Sequence, residues 1–83
     1  MDLIFIRQAR KDKKSIPEKE LKRIHQALTI LQDYPNTQNL DIKKLQSSRL
    51  MRLRVGNYRI TFEIEQDIIY IHAIQRRTST TYQ

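Results

Sequence analysis

The spacing of apolar positions changes period midway along the chain, and that change predicts the order of its elements. Leu3-Ile4-Phe5-Ile6 is an unbroken apolar run of strand length, suited to a strand covered on both faces or lying beside the core. Ala9 to Lys14 is almost purely charged, which is compatible with a short exposed helix. Ser15-Ile16-Pro17-Glu18 then carries helix-start signals: Ser15 as a cap, Glu18 at the capping-box position and Pro17 in the first turn. Leu21, Ile24, Leu28 and Leu31 recur at helical spacing, Ala27 and Ile30 widen the stripe, and Pro35 after Tyr34 closes the segment. Asn36 to Ser48 reads as a connection in which Leu40, Ile42 and Leu45 touch the core while Lys43 and Lys44 stay wet.

In the second half the period is two. Met51, Leu53 and Val55 alternate with Arg52 and Arg54; after Gly56-Asn57, Tyr58, Ile60, Phe62 and Ile64 alternate with Arg59, Thr61, Glu63 and Glu65. Ile68 to Ile74 is β-branched and apolar on both parities, as a strand with neighbours on both sides would be. A two-residue loop at Gly56-Asn57 sets Arg54 opposite Arg59, Arg52 opposite Thr61, Leu53 opposite Ile60 and Met51 opposite Phe62. A similar turn at Gln66-Asp67 sets Ile60 opposite Ala73, Phe62 opposite Ile71 and Ile64 opposite Ile69. One face is then apolar and ready for the helix. The other carries Arg52, Arg54, Arg59, Thr61, Glu63, Tyr70 and His72, with Arg76 just past the strand end. The expectation is an α+β fold of order β-α-(α)-β-β-β, with one or two N-terminal helices packed on one face of an antiparallel sheet.

Length allows one core, so residues 1–83 are expected to form a single domain. Charge narrows the partners: sixteen Lys and Arg against nine Asp and Glu leave a formal +7, which favours an anionic partner, nucleic acid before an acidic protein or a membrane surface. The apolar residues follow strand patterns rather than a basic amphipathic helix, which argues against the membrane. With no cysteine, disulfides, thiolate metal sites and cysteine nucleophiles are excluded. A single glycine leaves no phosphate-cradling glycine loop, and no serine triad signature or metal-ligand cluster appears. The apolar start is too short for a signal-peptide core, and the reading is of a cytoplasmic protein.

The chemistry that remains is on the arginine face. Like charges set directly opposite in a sheet repel, so Arg54 beside Arg59 is a cost that a bound anion would relieve. Guanidinium groups bind phosphate bidentately and stay charged at physiological pH, which suits a phosphodiester site. His72 on the same face is a candidate acid or base near neutrality, although a lone strand histidine is more often a hydrogen-bonded structural residue. His25 on the helix has no partner in sequence and reads as structural or solvent-facing.

The run Met51-Arg52-Leu53-Arg54-Val55-Gly56-Asn57-Tyr58-Arg59-Ile60, with Arg76, Arg77 and Tyr82 after an Ile-rich strand, resembles the RelE/ParE superfamily of bacterial toxins. It looks most like the RelE-type messenger-RNA endonucleases of type II toxin-antitoxin modules. Size, basicity, helix-then-meander order and the upstream Lys44-Leu45 pair fit as well. The resemblance implies a microbial-ribonuclease-like fold that enters the ribosomal A site and cleaves the messenger there, with no metal or cofactor, by attack of the ribose 2′-hydroxyl on the adjacent phosphodiester. It also implies an acidic, RelB-like antitoxin as partner, and operator DNA bound through the toxin-antitoxin complex.

Carried over residue by residue, Arg52 and Arg54 match basic strand positions, one of which is a lysine base in well-known members. Arg59 matches the phosphate-stabilising arginine that follows Gly-x-Tyr. Arg77, or Arg76 if no gap precedes Tyr82, matches a second such arginine, and Tyr82 matches the C-terminal tyrosine that stacks on a base or assists proton transfer. Lys44, Arg76 and His72 are the candidates for holding substrate. Arginine at both strand positions departs from the pattern, because a guanidinium does not readily give up a proton. The proton acceptor is therefore open among Tyr82, His72 and a ribosomal RNA group, unless geometry and charge alone suffice. Two other readings are a ParE-like toxin, which shares the fold but inhibits DNA gyrase without cutting RNA, and a non-catalytic basic module that binds RNA electrostatically. The first is opposed by Arg59, Arg77 and Tyr82 together, a set the gyrase-directed branch generally lacks.

Overall fold

A computed structural model describes residues 1–46 and 48–77 of the chain. The elements run β1 (Asp2–Phe5), α1 (Arg7–Lys14), α2 (Glu18–Leu31), β2 (Asp41–Lys44), β3 (Met51–Val55), β4 (Tyr58–Glu65) and β5 (Ile68–Arg76). The strands form one five-stranded sheet in the order β1-β5-β4-β3-β2. Ile24, Ala27, Leu28 and Leu31 of α2 and Ala9 of α1 are buried in one core with Leu53, Tyr58, Ile60, Phe62, Ile69, Ile71 and Ile74 of the sheet. That is the expected α+β arrangement, with the alternating apolar positions of β3 and β4 turned toward the helices.

Three details differ from the sequence reading, and one of its alternatives for β1 is settled. The sheet is mixed, because β1 lies parallel to β5, with Leu3 beside Ile69 and Phe5 beside Ile71. β1 is an edge strand beside the core: Leu3 and Phe5 are half-buried while Asp2 and Ile4 are exposed. The segment read as a connection contains β2, which pairs antiparallel with β3. Finally, α2 starts at Pro17 with no side-chain cap, and its first turn instead places Glu18 and Glu20 at the positive end of the helix dipole. Ser15 serves the other helix, its Oγ donating to the Asp12 carbonyl at 3.0 Å where α1 ends. The main helix also stops at Leu31, ahead of Pro35.

The short polar helix α1 has a structural task. β1 runs out beside Ile71, where the Ile6 N–H still donates to the Ile71 carbonyl at 2.9 Å. Beyond that point the Asp12 carboxylate takes over the edge of β5, its Oδ2 accepting the Ile74 N–H at 2.8 Å. A backbone donor that β1 is too short to reach is thereby satisfied from a helix. Among the described residues no helix is long and apolar enough to cross a membrane.

Candidate nucleic-acid interface

The uncovered sheet face is assembled by register. The β3–β4 hairpin pairs Arg54 with Arg59, Arg52 with Thr61, Leu53 with Ile60 and Met51 with Phe62, as the Gly56-Asn57 turn predicts. Gly56 has φ +58°, a conformation glycine adopts at little cost, and Arg23 of α2 lies over it. β2 then adds Asp41 beside Arg54 and Lys43 beside Arg52. On the far side β5 contributes Tyr70 beside Glu63, then His72.

Repulsion between Arg54 and Arg59 is met from within. Asp41 places Oδ1 3.4 Å from Arg52 Nη2 and Oδ2 3.8 Å from Arg54 Nε, so a single carboxylate bridges both β3 arginines. Arg59 is exposed and has no carboxylate within ion-pair reach among the described residues. Arg52 is the enclosed member: its side chain is only 13% exposed, and its Nε is buried without a hydrogen-bond partner. The second such atom among the described residues is His72 Nε2, which lies 3.8 Å from Glu63 Oε2. Buried polar groups in folded proteins are nearly always paired, so two orphans on one face set it apart from the covered face.

The β4–β5 register changes partway, and this moves residues predicted for the face. Ile64 pairs with Ile69 and Phe62 with Ile71 as expected, but a bulge follows, so that Thr61 pairs with Ala73, Ile60 with Ile74 and Tyr58 with Arg76. His72 is the extra residue. Past the bulge the parity of β5 is reversed, which brings Gln75 rather than Arg76 opposite Arg59. Arg76 is the last residue of β5 and not beyond it, and it stands on the helix side with buried Tyr58. There the Tyr58 hydroxyl donates to Glu20 Oε1 at 2.7 Å; this bond, burial and the Glu20 charge raise the phenol above its ordinary value, with Arg76 pulling the other way. Arg77 follows with the parity of the open face, its N–H donating to the Asn57 carbonyl. By the same rule Lys44, paired with Met51, belongs to the helix side, and its neighbour Lys43 to the arginine face. Tyr82 lies outside the described residues.

Arg52, Arg54, Arg59 and His72 are therefore brought together, whereas Arg76 and Lys44 are not. Asp41 was missed because a four-residue strand with one half-buried position, Ile42, gives almost no periodic signal. Among the described residues no three His, Cys, Asp or Glu side chains converge as metal ligands do. What the face offers is a row of fixed positive charge that can hold a phosphate, beside a carboxylate–imidazole pair.

Comparison with known proteins identifies the scaffold. Residues 3–80 match the family model of the ParE toxin of the type II toxin-antitoxin system, parDE. The chain belongs to the RelE/ParE superfamily of toxins. Toxin RelE3 of Methanocaldococcus jannaschii is 35% identical to it over 82 residues, covering 95% of this chain and 93% of that protein. A chain of the RelB-RelE antitoxin-toxin complex from Methanococcus jannaschii superposes with a TM-score of 0.76 at 32% identity, over 88% of each chain. One of the archaeal RelE-RelB complex from Pyrococcus horikoshii reaches 0.80 at 24% identity, over 95% of this chain and 97% of that one, a likeness of fold. This RelE-type toxin thus keeps the superfamily's architecture, with arginines at both candidate strand positions.

Proposed function

We propose that this toxin is a ribosome-dependent endonuclease that cleaves messenger RNA in the ribosomal A site and so stops translation. The observation that carries this reading is the facing Arg54–Arg59 pair on an uncovered sheet, beside an Arg52 whose buried Nε has no partner. A phosphodiester laid across it meets three guanidinium groups that stay charged as negative charge develops on the phosphorus oxygens, the term that usually dominates such catalysis. The reaction is attack of the ribose 2′-hydroxyl on the adjacent phosphorus, which expels O5′ and needs no metal. Arg52, Arg54, Arg59 and Arg77 orient and neutralise the phosphate, and Tyr82 follows them in the sequence for stacking or proton transfer. Lys43, on the face beside Arg52, takes the substrate-holding part first assigned to Lys44.

The partner in this reading is an acidic RelB-like antitoxin that folds as it wraps the basic domain and covers the arginine face, and that binds operator DNA as part of the complex. Solved relatives are complexes of RelE with RelB, which supports such a partner. The reaction takes place in the cytoplasm, where the translating ribosome is found.

Cell-free translation with purified protein tests the reading, by mapping new 5′ ends on the messenger beside ribosome-free RNA and an Arg59→Ala variant. Breaks confined to A-site codons and absent with the variant are expected. An intact messenger with normal translation overturns it. Because the matching family model is that of parDE toxins, gyrase supercoiling is the assay for that outcome, since a ParE-like toxin would inhibit gyrase and spare RNA.

A further inference from the structure

Arg52, Arg54 and Arg59 can neutralise a phosphate but cannot take the proton of an attacking hydroxyl. Among the described residues Asp41, Glu63, Tyr70 and His72 of the open face can, in principle, accept one, while Glu65 on the same face stands 3.7 Å from Arg49 and Asp2 lies out on the edge strand β1. Asp41 is committed, with one oxygen toward Arg52 and the other toward Arg54. Tyr70 pairs across the strands with Glu63 rather than with an arginine. Glu63 and His72 remain, and they sit together, Oε2 3.8 Å from Nε2.

We infer that His72 is the proton acceptor, working through Nδ1, and that Glu63 is the positioning residue that holds the ring by its Nε2 side. The inference rests on the ribonuclease reading above. Three features of the structure support it. His72 Nε2 is enclosed and lacks a partner while 35% of the side chain stays open, so the ring edge away from Nε2 is the one a substrate reaches. The Glu63 carboxylate, 3.8 Å from Nε2 and outside hydrogen-bond distance, still favours by its charge the tautomer with the proton there, which leaves Nδ1 as the free base. The serine triad likewise sets carboxylate and base on opposite ring nitrogens, with the two nitrogens exchanged. And His72 is the extra residue of the β4–β5 bulge, a distortion that re-aims a side chain, braced where the Asp12 carboxylate accepts the N–H of Ile74. His72 lies beside Thr61, whose β3 partner is Arg52, so with neighbouring strands about 4.8 Å apart the ring on β5 and the Arg52 guanidinium on β3 can flank one phosphate.

The step balances without a co-reactant. The 2′-oxygen bonds to phosphorus as its proton passes to His72 Nδ1, the P–O5′ bond breaks, and O5′ takes up a proton from solvent. The product carries a 2′,3′-cyclic phosphate, and His72 returns its proton to water. Glu63 keeps its charge throughout and stabilises the imidazolium that forms.

The test is single-turnover cleavage of a messenger on programmed ribosomes by the full-length chain and its His72→Ala, His72→Asn and Glu63→Gln variants, each first checked for native circular dichroism. Both His72 variants are expected to cleave roughly 10²- to 10⁴-fold more slowly than wild type. Added imidazole should restore part of the rate to His72→Ala and none to Glu63→Gln, whose defect should be smaller. A substrate with sulfur in place of the departing O5′, which needs no proton to leave, should not rescue His72→Ala. Wild-type rates in the folded His72 variants, failure of imidazole to act, or rescue by the sulfur substrate each overturn the assignment while the ribonuclease reading stands. If wild type itself leaves the messenger intact, both fall together.

Discussion

The two faces of the sheet are written into the same strands, one residue apart, and are built by opposite rules. On the covered face Leu53, Ile60, Phe62, Ile69 and Ile71 are fully buried, and no buried polar or charged residue occurs among the described residues. On the open face Arg52 Nε and His72 Nε2 are shut away from water without partners, and Arg54 stands opposite Arg59. The covered face is consistent at every level, as a surface under selection for stability alone would be. The open face holds a like-charge pair, Arg54 and Arg59, that Asp41 offsets on the Arg54 side alone and that a phosphate would relieve further. Stability and function are thereby assigned to alternate residues, and substitutions should separate them.

The largest effect is expected from Phe62→Ala on the covered face. Truncating a fully buried phenylalanine costs about 3–5 kcal/mol, much of the total stability of a domain this size. Urea unfolding should show a collapse of the midpoint, and a near-native midpoint would mean that the core is not where it is placed here. Asp12→Ala ranks second, because it strips the Ile74 N–H of its acceptor where β1 no longer covers β5. A loss of about 1–3 kcal/mol is expected, with faster hydrogen exchange at Ile74; unchanged exchange there would show that α1 does not seal the edge. Third is the Gln66-Asp67 turn, where both residues have positive φ, 51° and 68°. Asn-Gly is the favoured pair for a two-residue hairpin of that kind, so Gln66→Asn with Asp67→Gly should raise stability by about 1 kcal/mol. A drop instead would argue against that turn geometry.

The smallest effect lies on the helices, away from both faces. Burial, and then the charge of Lys13, lower the pKa of His25, whose ring meets the edge of Phe5. The folded state therefore binds that proton less readily than the unfolded chain does. His25 costs no stability while both states are neutral, and stability is lost as pH falls through the ordinary histidine value near 6.5. Between pH 7.5 and 5.5 the wild-type urea midpoint should fall more than that of His25→Gln; equal slopes would contradict the assignment.

How legible these features were depends on how local their causes are. The β3–β4 register followed from two residues, Gly56 and Asn57, and every pair deduced from them is present. The β4–β5 register followed its own turn only as far as Phe62–Ile71. Past it comes a bulge at His72, two residues before the Ile74 N–H that Asp12, distant in sequence, accepts, and no local pattern announces either feature. This is why Arg76 was expected on the wrong face. β2 was illegible for a different reason: at four residues it is too short to show a period, and its importance rests on Asp41, whose partners come from β3. The arginines themselves were readable, because their place depends on strand alternation and one tight turn.

The division of labour between the faces can be tested on a single protein, Arg59→Ala, by measuring its urea midpoint and its rate of messenger cleavage on programmed ribosomes in the same preparation. The account predicts a midpoint equal to or slightly above wild type, because a like-charge neighbour of Arg54 has been removed, together with loss of cleavage. A lowered midpoint with cleavage intact would contradict it, and would make the arginine face part of the scaffold rather than the site.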